Sequence, residues 1–213
     1  MIVRTLVAVA AIAALTTGCS NRGEIDSTGG ISAVRSACPS VGVPAGTGDI
    51  TLFTSPTART ADAIDVVAVI TNVRSTCNDA VDPISTAITF DVLARRTNAS
   101  AARDVTLPYF STVVQGGTAV VAKRLGQVTV RFAAGQDRAQ ASATAGASVD
   151  RAAATLPQEV RDQITRQRKA GQEDAAVDPL TNPAVRQAVL RATFEALVGF
   201  QLTDEQLRYN ATR

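Results

Sequence analysis

The sequence predicts a mainly β protein built as an antiparallel sandwich, and three observations carry that expectation. Apolar and polar residues alternate with period two in several stretches between Ile50 and Phe132, as half-buried strands require. Glycine-containing turns separate these stretches at short, even intervals, the spacing of a two-layer β fold. Aromatic residues make up only 4% of the chain, and a cysteine pair, Cys38 and Cys77, is placed to staple the domain.

The first twenty residues are of another kind. Arg4 is followed by an apolar run from Leu6 to Leu15 and then by Thr16-Thr17-Gly18-Cys19-Ser20. A basic start, a short apolar stretch and small residues describe a secretory signal rather than a fold element. A membrane-crossing helix needs about 20 apolar residues, and Thr16, Thr17 and Gly18 end this run sooner. Residues 15–19 resemble the lipobox of bacterial lipoproteins, with Gly18 and Cys19 fitting the pattern and Thr16 standing where leucine is usual. The resemblance implies removal of residues 1–18 and lipidation of Cys19. With Ser20 rather than aspartate next, it also implies an outer-membrane anchor facing the periplasm. Residues 19–37 are polar and glycine-containing and read as a tether, with a root-mean-square reach of about 25 Å.

Assigning Cys19 to lipid leaves Cys38 and Cys77 as an even pair. In an oxidising compartment they are expected to form one disulfide closing a loop of about 40 residues, which stabilises by about 4 kcal/mol on the chain-entropy account. Two separate buried thiols are the alternative. The chain carries 21 basic and 19 acidic side chains, with Arg4 the only charge before Cys19. The arginines are scattered among aspartates, so no nucleic-acid partner is expected.

Along residues 38–213, read as a single domain, Ile64–Arg74 is apolar at both parities and is expected to be a central strand covered on both faces. In Ile84–Arg96 the even positions Ile84, Ile88, Phe90, Val92 and Ala94 are apolar and the odd ones mostly polar, a half-buried strand. Asp104–Gln115 and Val120–Arg124 flank Gly116-Gly117, a pair suited to the positive φ of a hairpin turn. Gln127–Phe132 reads as a further short strand after Gly126. Pro108 cannot donate to a ladder, so an edge position or a bulge is expected there.

From Ala139 onward alanine and small polar residues take over and the strand pattern is expected to stop. Thr155 with Gln158, and Pro157 between them, mark a helix start. Leu156, Val160 and Ile164 then give a helix from Thr155 to Gly171 whose narrow apolar stripe packs on the sandwich. Asn182-Pro183 opens a short helix over Ala184–Ala192, so that a helical insertion occupies about 150–192. Residues 194–202 alternate as a last strand, a continuing helix being the alternative. Thr203 and Gln206 cap a final turn near Tyr209.

The tail Val198-Gly199-Phe200-Gln201-Leu202-Thr203-Asp204-Glu205-Gln206-Leu207-Arg208-Tyr209-Asn210 resembles the C-terminal signature of small proteobacterial envelope lipoproteins without assigned activity. Leu107-Pro108-Tyr109-Phe110, Val130-Arg131-Phe132 and Gly135-Gln136 are similar to them as well. This resemblance implies an immunoglobulin-like β-sandwich with the helical insertion before its last strand, and it implies no chemistry.

No histidine occurs. Ser-His-Asp and Cys-His hydrolysis are excluded, and the commonest metal ligand is missing. The only lysines, Lys123 and Lys169, sit in polar surroundings and are not expected to act as desolvated bases. Asp62 with Asp65, and Asn78-Asp79 with Asp82, lack the ordered spacing of a calcium loop and read as turn residues. Gly46-Thr47-Gly48 lacks the further glycine and lysine of a phosphate loop. No catalytic residue, metal ligand or cofactor is assigned, and no enzyme activity is expected. The expected function is a membrane-anchored, periplasm-facing structural or protein-interaction module of the cell envelope. Its envelope partner would be met through the helix Thr155–Gly171 or the edge near Pro108. The alternative is a carrier of a small apolar ligand between the sandwich and the inserted helix, lined by Phe53, Phe90, Phe110, Phe132 and Phe200.

Overall fold

The computed structural model describes residues 36–55, 57–166, 171 and 177–212. Cys19 with the signal segment, the tether up to residue 35, and Lys169 lie outside the described residues.

Eight strands follow one another as β1 (Ser40–Gly42), β2 (Asp49–Phe53), β3 (Ile64–Asn78), β4 (Ile84–Arg96), β5 (Arg103–Gln115), β6 (Ala119–Phe132), β7 (Arg138–Val149) and β8 (Phe194–Phe200). They form two four-stranded sheets, ordered β1-β8-β5-β6 and β2-β3-β4-β7. All ladders are antiparallel except β1 on β8. Along β4 every even position is buried and the odd ones point outward, so period two in the sequence becomes one apolar inner face. Phe90, Phe132, Phe200, Ile84, Ile88, Leu107, Val130 and Val198 are fully buried in one contiguous core, each contributing roughly 1.5–3 kcal/mol by leaving water. Gly116 and Gly117 turn the β5–β6 hairpin with φ of 63° and 77°, values that glycine adopts without penalty.

Several expectations are corrected. β3 does lie inside its sheet, between β2 and β4, but its outward face is not covered, and Val69 there remains 42% exposed. The strand pattern does not stop at Ala139. β7 is a full strand, and its small residues have a tertiary reason. Across the sandwich the Tyr109 hydroxyl donates to Thr144 O at 3.1 Å and Ser111 Oγ to Gly146 O at 3.3 Å, a close approach for which the inward Ala143, Ala145 and Ala147 leave room. Pro108 is not at a bulge, which falls at Val113/Val114, but in the part of β5 that has β6 alone as a strand neighbour, a local edge. The β5–β8 ladder begins at Tyr109, and Pro108 O accepts from Gln201 N just beyond it, so the missing donor falls past the ladder's end.

Val120–Arg124 and Gln127–Phe132 are not two strands but parts of β6, which pairs with β5 along its length. Gly126 is needed there because the Tyr109 ring fills its side-chain space. A Cβ at this position would stand 2.6 Å from Tyr109 Oη and 2.8 Å from Cε1. Tyr109 also meets Phe90 edge-on with centroids 5.1 Å apart. Gly126→Ala is expected to cost about 1–3 kcal/mol through overpacking, read as a lower urea midpoint. Combining it with Tyr109→Val should recover part of the loss, and an unchanged midpoint in the single variant would contradict this packing.

The helical part also differs in detail. Asp150 caps a one-turn helix, α1 (Arg151–Ala154), by accepting from Ala153 N. Thr155 ends that helix instead of starting the next, and α2 (Gln158–Thr165) follows Pro157. Leu156, Val160 and Ile164 are only half-buried, and α2 has no buried residue. It packs against the 3₁₀ turn Pro179–Thr181. The helix α3 (Pro183–Arg191) starts as expected, with Asn182 Oδ1 accepting from Ala184 N. Residues 194–200 form β8, and α4 (Asp204–Thr212) is a full helix rather than a turn.

Candidate functional site

Cys38 and Cys77 form a disulfide with Cα atoms 6.1 Å apart. It joins the residue two places before β1, in the first sheet, to β3 in the second. Each carboxylate cluster has one member engaged locally, Asp65 and Asp82. Asp65 takes a bidentate pair from Arg103 at 2.9 and 3.1 Å. Asn78 Oδ1 accepts from Ala80 N, and Asp82 Oδ1 accepts from Arg151 N while the Arg151 guanidinium donates to Asp79 O and Val81 O. Among the described residues no three His, Cys, Asp or Glu side chains gather as a metal site. Thr47 Oγ1 donates to Pro44 O, and Thr47 O accepts from Phe200 N, so the Gly46-Thr47-Gly48 loop is a closed turn against β8. Lys123 lies 5.2 Å above the Phe110 ring. Of the five phenylalanines proposed as a lining, Phe90, Phe132 and Phe200 belong to the core, and Phe53 meets Tyr209 edge-on at 5.1 Å.

The tail motif has a structural explanation. Thr203 N donates to Gln206 Oε1 and Gln206 N to Thr203 Oγ1, a reciprocal capping box that starts α4. Asn210 Nδ2 then donates to Gly46 O and Asp49 O, both at 2.9 Å, and Tyr209 packs on Phe53. These contacts fasten α4 over β2.

Arg96 was missed by sequence reasoning. It is 3% exposed, its Cζ lies over the Phe132 ring at 4.9 Å from the centroid, and its guanidinium donates to four backbone carbonyls. Nε bonds Gln136 O, Nη1 bonds Ala101 O, and Nη2 bonds Ala99 O and Ala133 O, at 2.7–3.2 Å. Two connections, β4–β5 and β6–β7, are thus organised around one buried cation. The available signal was parity, since Arg96 continues the inward even positions of β4.

Two surfaces remain as candidates for binding. The first is the free edge of the first sheet. Residues 119–125 of β6 are exposed without interruption, with Val120 at 63%, Val121 at 52% and Leu125 at 70%. No protein family, curated protein or solved structure matches this chain. Its surfaces must therefore be read from their own chemistry.

The second surface is the outward face of the β2-β3-β4-β7 sheet. There Val67, Val69, Leu93, Arg95, Arg138 and Gln140 line a shallow groove of about 640 Å³. At its far end Asp91 accepts from Ser142 Oγ at 2.6 Å and Asn72 Nδ2 at 2.8 Å. These bonds, the serine's first, together with nearby Arg74, hold the Asp91 carboxyl below its ordinary range. Asn72 adopts a φ of 51° at the β3 bulge, a left-handed conformation that asparagine tolerates better than most residues. A smaller, more polar groove of about 350 Å³ lies between α2 and the Pro179–Thr181 turn. None of the five phenylalanines lines either groove.

Proposed function

We propose that the protein is a lipid-anchored outer-membrane lipoprotein facing the periplasm, and that it serves as an interaction module by adding an extended segment of an envelope protein to the edge of β6. The observation that carries this reading is the run Ala119–Leu125, exposed on both faces of an edge strand. Soluble β proteins ordinarily blunt such edges with charges, proline or bulges. This edge carries a bulge at Val121 and two charges, Lys123 and Arg124, yet Val120, Val121 and Leu125 stay more than half exposed along it. β-Strand addition uses such an edge, main-chain hydrogen bonds giving affinity and alternate side chains giving specificity. The two cations favour a partner segment that carries acidic residues.

Two stacked antiparallel sheets, a disulfide between them and a first strand parallel to the last support an immunoglobulin-like classification. Strand order sets this sandwich apart from the ABED/CFG arrangement of constant-type domains, because β8 lies beside β5 and β7 beside β4. The anchor rests on the lipobox resemblance at Cys19, and more than one acyl chain would be needed to hold a protein at a membrane stably.

A photoreactive amino acid at position 121 or 125 of the full-length protein, in living cells, is expected to give a discrete adduct with an envelope protein. The same group at position 85, on the outward face of the other sheet, should give none. No adduct, or equal adducts from both sheets, would overturn the edge reading. Cys19→Ser is expected to release the protein from the membrane fraction, and full retention would overturn the anchor.

A further inference from the structure

We propose that the outward face of the second sheet binds a single-chain alkyl carboxylate, with the carboxylate held by Arg95 and Arg138 and the alkyl chain laid over Val67, Val69 and Leu93. The ladder registers build this surface row by row. Val69 pairs with Leu93, which pairs with Gln140, and in the next row Val67 pairs with Arg95, which pairs with Arg138. All six side chains line the groove of about 640 Å³. One row is therefore apolar on β3 and β4, and the adjoining row carries two arginines on directly opposed positions.

Like charges directly opposed across two strands repel and destabilise the pairing. The surroundings relieve this only in part. Asp137 approaches Arg95 at 3.6 Å from an exposed position, whereas the Arg138 side chain makes no ion pair among the described residues. The other nearby carboxylates are committed elsewhere, Asp65 to Arg103 and Asp91 to Ser142 and Asn72. Two cations thus face one exposed anion, a local excess of one positive charge. A guanidinium fork matches a carboxylate in shape as well as charge.

The neighbouring chemistry selects the rest of the ligand. Val69 and Leu93 are 42% and 43% exposed beside the cations, so an anion that also carries an alkyl chain gains by covering them. The groove, about 640 Å³, has the size of small-ligand sites. This places the carrier reading on an open sheet face rather than among the core phenylalanines. The surface is on the sheet opposite to the β6 edge, so failure here and failure of the proposed function are separate outcomes.

The experiment uses the full-length protein in nanodiscs of zwitterionic lipid, with Val and Leu methyl groups labelled for NMR and octanoate as the probe. Saturable shifts confined to the methyl groups of Val67, Val69 and Leu93 are expected. Arg138→Gln should weaken the apparent affinity at least fivefold, Arg138→Lys by less, and octanol should bind at least tenfold more weakly than octanoate. The Arg138 side chain is exposed, so folding of the variants is checked by unchanged methyl shifts in the core. Absence of saturable shifts, an equal response to octanol, or full affinity in Arg138→Gln would each overturn the proposal.

Discussion

Arg96→Met is expected to lower the free energy of unfolding by about 4 kcal/mol. Hydrogen bonds to a charged group contribute roughly 1.5–3 kcal/mol each, and carbonyls left buried without donors carry their own desolvation cost. Four carbonyls lose a donor at once, yet the total stays well below the sum, because the loops at 97–102 and 133–137 can open to water. Chemical denaturation should show a lower midpoint with little change in slope. Hydrogen exchange should quicken first in those two loops, which the guanidinium joins. Arg96→Lys should recover only part of the stability, since an ammonium directs three donors from one atom and cannot reach carbonyls arranged around a planar fork. Stability within about 0.5 kcal/mol of wild type in both variants would refute the role given to this side chain.

Loss of the Cys38–Cys77 bridge is the other large effect. The half-cystines are 39 positions apart, and closing a loop of that size stabilises by about 4 kcal/mol on the chain-entropy account. Cys38→Ala with Cys77→Ala should therefore lower the unfolding free energy by about that amount, and a reductant should shift the wild type but not the double variant. A loss under about 1 kcal/mol would mean that pairing of β1 with β8 already confines the N-terminal end of the domain.

What the sequence disclosed depended on whether local pattern and tertiary packing agreed. They agree in β4, where parity alone marks the buried face, and at Gly116-Gly117 and Asn182-Pro183, where backbone chemistry acts within a few residues. The disulfide followed from counting thiols once Cys19 was set aside. They disagree in β7, whose five alanines and Gly146 carry weak strand preference. Those residues are small because Tyr109 and Ser111 reach across to its backbone, a contact more than thirty residues away in sequence. At Val67 and Val69 an apolar residue reads the same whether a neighbour covers it or nothing does. Arg96 was passed over because a charged residue at an inward position reads as the end of a strand until its four carbonyl partners are seen.

The bridge between the sheets also decides how the domain bears a pull. Tension arriving through the segment before Cys38 would otherwise act on β1, three residues long and held only along β8, and would peel it away bond by bond. The covalent link two residues upstream diverts that force to Cys77, on a 15-residue strand laced to β4 from Val66–Arg96 through Asn78–Ser85. A domain fastened in this way can be pulled from its N-terminal side without unzipping its first sheet.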